Sequence, residues 1–175
     1  MIKNNKGFTL IEIMVVVFLF SIIFAAIFSV LGTGRNSLSV GESQIGVQQA
    51  CRNGLDAMIK ELRQAGVSTI PDVPANGTNY GSITFQIPIA VGAGGITWSS
   101  DIQYALGGLN STQLIRTQSG SQKILANNIA AVSFNRLAAS QNALNISITA
   151  RKNTFPGFTA RQSSVTLNSQ VKVRN

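Results

Sequence analysis

The sequence contains no histidine, one cysteine and only six acidic residues against fourteen basic ones in 175 residues. Without histidine, the usual zinc sites and every histidine-based catalytic triad are excluded. A single cysteine, Cys51, cannot close an intramolecular disulfide, and beside a helical apolar stripe it reads as a small buried hydrophobe rather than a reactive thiol. Asp72 and Asp101 stand apart from other acids, whereas a cation site needs several oxygen donors brought together. Gly92-Ala93-Gly94-Gly95 is glycine-rich but lacks the Lys-Ser/Thr and helix that a phosphate loop requires, so it reads as a loop between strands. No catalytic residue, metal or cofactor is expected. The chain is expected not to be an enzyme.

What is abundant is hydrophobicity at one end. From Phe8 to Leu31 the chain is apolar apart from Glu12 and small polar residues. As a helix this run is about 36 Å long, more than the roughly 30 Å of hydrocarbon in a bilayer. A domain of this size seldom buries an all-round apolar helix of that length, which favours a membrane span. Lys3 and Lys6 precede it and keep the short end in the cytoplasm. A cleaved secretory signal fits poorly, because the apolar run is long and no Ala-x-Ala site follows it.

Charge is equally uneven. Residues 1–101 hold every acid and an equal number of bases, while from Ile102 onward there are bases alone, so the whole net charge of +8 belongs to the second half. Such a surface favours anionic partners. Arg151, Lys152 and Arg161 flank Phe155 and Phe158, an interleaving of cations and aromatics that suits single-stranded nucleic acid. They are candidate contacts for an anionic partner, although no nucleic-acid fold motif accompanies them.

Leu55, Met58, Ile59, Leu62 and Ala65 recur at helical steps, with Arg52, Asp56 and Lys60 spaced on a polar side to support the helix weakly and Gly66 as a stop. Gly32, Gly34, Gly41 and Gly46 are poor helix formers, so a bent or loosened stretch is expected near Gly32 to Ser43. Residues 67–81 read as a loop. Strand periodicity follows at Ile83 to Ile89 (an edge strand, given Pro88), Ile102 to Leu106, Gln113–Thr117, Val132 to Phe134, Leu144 to Ala150 and Val165 to Val173. Helix first and strands afterwards predicts an α+β fold: a long N-terminal helix whose second half packs on an antiparallel sheet with one face in solvent.

The segment Lys6-Gly7-Phe8-Thr9-Leu10-Ile11-Glu12 at the head of the apolar run strongly resembles the type IV prepilin superfamily, which includes pilins and the pseudopilins of type II secretion. The resemblance implies cleavage between Gly7 and Phe8 by a membrane prepilin peptidase, N-methylation of Phe8 by the same enzyme, and pairing of Glu12 with a freed amino terminus as helices pack into a filament. Independently of that resemblance, a carboxylate in a spanning helix is seldom left without a partner. The implied organisation is a leader at 1–7, a transmembrane and filament-core helix at 8–31, a periplasmic continuation at 32–66 and a β-rich head at 67–175. The implied location is the bacterial inner membrane, with the head periplasmic, and then the assembled fibre. The implied partners are the peptidase, other minor and major pilins or pseudopilins, the inner-membrane assembly platform and the lipid bilayer.

Beyond the apolar run, Met58 to Gly66 and the ending Val171 to Asn175 resemble J-class minor pseudopilins of type II secretion and W-class minor pilins of type IV pili. Ser29 stands where many major pilins have a kinking proline, and no cysteine pair closes a C-terminal loop. The expectation is a minor subunit at or near the fibre tip that primes assembly. The alternative is a minor pilin of a DNA-uptake pilus whose basic head contacts DNA.

Overall fold

The computed structural model describes residues 7–155 and 158–174, with the side chains of 154–161 outside the description. The chain divides into two compact units, Met1–Gly41 and Glu42–Asn175. Helix α1 spans Leu10–Leu62.

In the first unit every described residue from Gly7 to Asn36 is exposed, including all the large apolar side chains of residues 8–31. An apolar helix with no protein around it satisfies its own backbone polar groups and leaves only hydrocarbon outward, which is what a bilayer requires. Two of its hydroxyls bond the helix backbone: Ser21 Oγ donates to the Phe18 carbonyl at 2.7 Å and Thr33 Oγ1 to that of Ser29 at 3.0 Å. The helix is long and apolar enough to cross a membrane. The loosening expected near Gly32 to Ser43 is absent from the secondary structure, which is helical through all four glycines. Glycine in a helix costs about 1 kcal/mol relative to alanine, a penalty that does not by itself break a ladder already formed on both sides.

In the second unit the helical stripe comprises Ser43, Val47, Cys51, Gly54, Leu55, Met58 and Leu62, all buried. The sequence pattern caught its second half. The last turn tightens as Gln64 N–H donates to the Glu61 carbonyl at 2.9 Å and Ala65 N–H to that of Leu62 at 3.2 Å, and the chain then leaves through Gly66. The expected ion pairing among Arg52, Asp56 and Lys60 does not occur; all three side chains are exposed, and among the described residues the ion pair is Arg116 with Glu61.

Among the described residues nine strands follow: β1 (Ile83–Phe85), β2 (Pro88–Gly92), β3 (Gly95–Trp98), β4 (Ile102–Gly107), β5 (Gln113–Gln118), β6 (Ser121–Asn127), β7 (Ile129–Arg136), β8 (Ala143–Phe155) and β9 (Phe158–Lys172). They form a four-stranded sheet in the order β1-β4-β5-β6, a β2-β3 hairpin and a three-stranded sheet in the order β7-β8-β9. Every strand pairing is antiparallel. The α+β architecture expected from the sequence is therefore present.

One expectation is corrected. Ile83 to Ile89 is not one edge strand but two strands in different sheets. Gln86 N–H goes to Thr69 Oγ1 and Ile87 N–H to Ser99 Oγ, so two ladder donors are taken by side chains, and Pro88 has none to offer. Gly92–Gly95 is the turn of the β2-β3 hairpin, with Gly95 at φ 111°.

On β8, Leu144, Ile146, Ile148 and Ala150 are buried while the alternate Asn145, Ser147 and Thr149 are partly exposed. Both sheets contribute to one core with the helical stripe. At Gly54 a Cβ would lie 3.1 Å from both Leu114 of β5 and Ile148 of β8, so the missing side chain admits the two sheets at one point. The C-terminal strand end is tied to the helix exit: Arg174 N–H donates to the Ala65 carbonyl and Val67 N–H to that of Arg174, each at 2.9 Å.

Candidate functional site

The first candidate site is the start of α1. Gly7 and Phe8 precede the helix outside regular secondary structure, and Phe8 is 82% exposed. Thr9 is the residue before the first helical position. Its Oγ1 accepts the Glu12 N–H at 3.3 Å, and Oε2 of Glu12 accepts the Thr9 N–H at 3.3 Å. This reciprocal pair is a capping box, which satisfies two backbone donors that a helix start otherwise leaves unpaired. The helix dipole also favours an anion in the first turn. The signal was legible as Thr-x-x-Glu, but the reading of Glu12 as a partner for a cation passed over it. Among the described residues, Oε1 of Glu12 takes no bond.

Of the second candidate, the basic cluster, the structure describes the side chains of Arg151 and Lys152. Arg151 and Lys152 are exposed successive residues of β8, paired with Ser164 and Ser163 of β9. Successive residues of a strand point to opposite faces, so the two cations cannot act on one ligand from one face. The side chains of Arg161, Phe155 and Phe158 lie outside the described residues.

A cluster that sequence reasoning missed joins α1 to the four-stranded sheet. Tyr104 of β4 donates its hydroxyl to Oε2 of Glu61 at 2.6 Å, and Nε of Arg116 of β5 donates to both Glu61 oxygens at 2.9 and 3.0 Å. Nη2 of Arg116 also donates to Oε1 of Gln118 at 2.7 Å. Burial and then the Glu61 carboxylate push the Tyr104 phenol far above its ordinary range. Burial works against the charge of Arg116, but the hydrogen bond and charge of Glu61 outweigh it and raise its pKa.

Cys51 is fully buried, its thiol pointing to the Val165 carbonyl at 3.4 Å, and burial raises its pKa. Asp72 and Asp101 are both exposed, and Asp101 accepts from Gln86 at 2.8 Å. Among the described residues no group of three or more potential metal-ligating side chains comes together.

No curated protein and no solved structure matches the chain. The family model of the prokaryotic N-terminal methylation motif matches residues 2–28, a stretch that includes Gly7, Phe8, Thr9 and Glu12. With that motif at the head of a helix fit to cross a membrane, and a sheet-built domain after it, the chain resembles type IV prepilins over its amino-terminal stretch.

Proposed function

We propose that this chain is a minor pilin or pseudopilin: a structural subunit cut between Gly7 and Phe8, N-methylated at Phe8, and assembled at or near the tip of a type II secretion pseudopilus or a type IV pilus to prime the fibre. The observation that carries the proposal is the methylation motif set on an exposed apolar helix, with Glu12 capping its start and one carboxylate oxygen left over.

In the membrane the helix exchanges lipid for neighbouring helices as the fibre grows, so little apolar surface meets water, and close packing of helix faces then holds the shaft. The free oxygen of Glu12 accepts from the amine released at Phe8, on its own chain or on the preceding subunit. The head stays on the far side of the bilayer from the leader. A DNA-contacting head is the less supported reading, because Arg151 and Lys152 leave opposite faces of β8.

Mass spectrometry of the mature amino terminus tests the processing step. N-methylated Phe8 is the expected product, and a chain that keeps Met1 in cells with active prepilin peptidase refutes it. Quantification in purified fibres tests the minor role: this subunit is expected at far below the abundance of the shaft subunit, and equal abundance overturns that assignment.

A further inference from the structure

A cleft between α1 and the four-stranded sheet carries an excess of positive charge that the fold does not neutralise. Tyr104, Arg116 and Lys123 lie directly opposite one another across β4, β5 and β6, so their side chains share one face. Lys60 and Glu61 of α1 and Gln64 in the turn that follows it line the other wall, and Ile87 and Leu125 supply apolar surface. Arg116 faces Lys123 directly across β5 and β6, where like charges repel, and Glu61 offsets the charge of Arg116 but not that of Lys123. Glu61 is the one acid among the lining residues, and both its oxygens are already taken by Arg116 and Tyr104. Lys60 and Lys123 are exposed, and neither ammonium bonds any described residue. Two lysines brought to one cleft with no acid left to meet them mark a place suited to an anion from outside the fold.

We propose that this cleft docks an acidic segment of a protein partner, whose carboxylates sit beside Lys60 and Lys123 while its apolar side chains cover Ile87 and Leu125. Charge complementarity chooses an anion. The cleft then favours a peptide over nucleic acid, because single-strand binding uses exposed aromatic platforms and the aromatic residue here, Tyr104, is fully buried with its hydroxyl spent on Glu61. The inference concerns the head alone and holds wherever in a fibre the subunit sits.

Fluorescence anisotropy with the full chain in detergent micelles tests it, using a labelled hexaglutamate peptide and, separately, an oligothymidylate of equal charge. The peptide is expected to bind in a salt-dependent way. The double substitution Lys60→Gln/Lys123→Gln should weaken binding roughly tenfold, the scale of two exposed ion pairs, whereas Lys172→Gln, an exposed cation outside the cleft, should leave it unchanged. Both lysines are exposed, so an unaltered Trp98 fluorescence unfolding curve is expected to show the fold retained. Three results overturn the proposal: no peptide binding by the parent chain, equal weakening by Lys172→Gln, or tighter binding of the oligothymidylate with the same dependence on Lys60 and Lys123.

Discussion

Single residues that share a contact here are often far apart in sequence, and that distance decides what could be foreseen. Thr9 and Glu12 lie three positions apart, and their spacing alone announces a capping box. Tyr104 and Arg116 meet Glu61 across 43 and 55 residues, a meeting fixed only once α1 lies on the sheet. The Tyr104 phenol has a testable consequence. In the unfolded chain it ionises near pH 10, whereas in the fold burial and Glu61 keep it protonated to far higher pH. A raised folded pKa means that its stabilisation is complete below pH 10 and is lost as pH rises above it, by about 1.4 kcal/mol per pH unit. Urea titrations followed by Trp98 fluorescence should show this decline above pH 10, and Tyr104→Phe should remove that part of it. The same substitution should cost about 2 kcal/mol at neutral pH, since a hydrogen bond to a carboxylate is lost. Arg136 offers a second test. Its buried guanidinium donates from Nε to the Val73 carbonyl at 2.6 Å and from Nη2 to the Ile70 carbonyl at 3.3 Å, which ties the loop after the helix to β7. Arg136→Met should destabilise the head by about 3 kcal/mol, from two buried carbonyls left without donors, and Arg136→Lys, which reaches one carbonyl at a time, by less.

At the scale of elements, alternation of apolar and polar side chains made most strands visible in the sequence, and β3 and β6, which lack it, were missed. Ile102 and Tyr104 of β4, and Leu144, Ile146, Ile148 and Ala150 of β8, are buried at every second position, and that periodicity predicts these strands. β6 begins with four exposed residues, and β3 is a short strand following a glycine turn; neither has the period of two from which a half-buried strand is read. Helix α1 shows the converse limit, since composition suggests a break at its glycines and the fold has none. The two kinds of glycine in this region should respond oppositely to alanine. Gly46 is helical with nothing within 4 Å of a Cβ, whereas a Cβ at Gly66 would lie 2.5 Å from the Trp98 ring. Gly46→Ala should therefore stabilise the chain by roughly 0.5–1 kcal/mol through helix propensity. Gly66→Ala should destabilise it by about 1–3 kcal/mol through overpacking. Because Trp98 is the single tryptophan, displacement of the ring should appear directly as a red-shifted emission in Gly66→Ala and not in Gly46→Ala.

For the whole molecule, the open question is why an apolar anchor keeps a carboxylate in its first turn. Two roles fall to one carboxylate: Oε2 of Glu12 closes the capping box with the Thr9 N–H, while Oε1, which bonds no described residue, is the oxygen left to accept a cation from a neighbouring chain. A cap needs an acceptor but no charge, and glutamine serves at that position as well as glutamate. Counter-ion pairing needs the charge itself, because a neutral amide in lipid does not draw an ammonium out of its hydration as a carboxylate does. Glu12→Gln and Glu12→Ala therefore separate the roles. Both variants should be found in the membrane fraction, since each leaves the run from Phe8 to Leu31 at least as apolar. If pairing with a released amino terminus drives assembly, both should fail to co-purify with the other fibre subunits, and Glu12→Gln should be no better than Glu12→Ala. Co-purification of Glu12→Gln at the parent level alongside failure of Glu12→Ala would instead reduce Glu12 to a cap, and normal incorporation of both would remove it from assembly altogether.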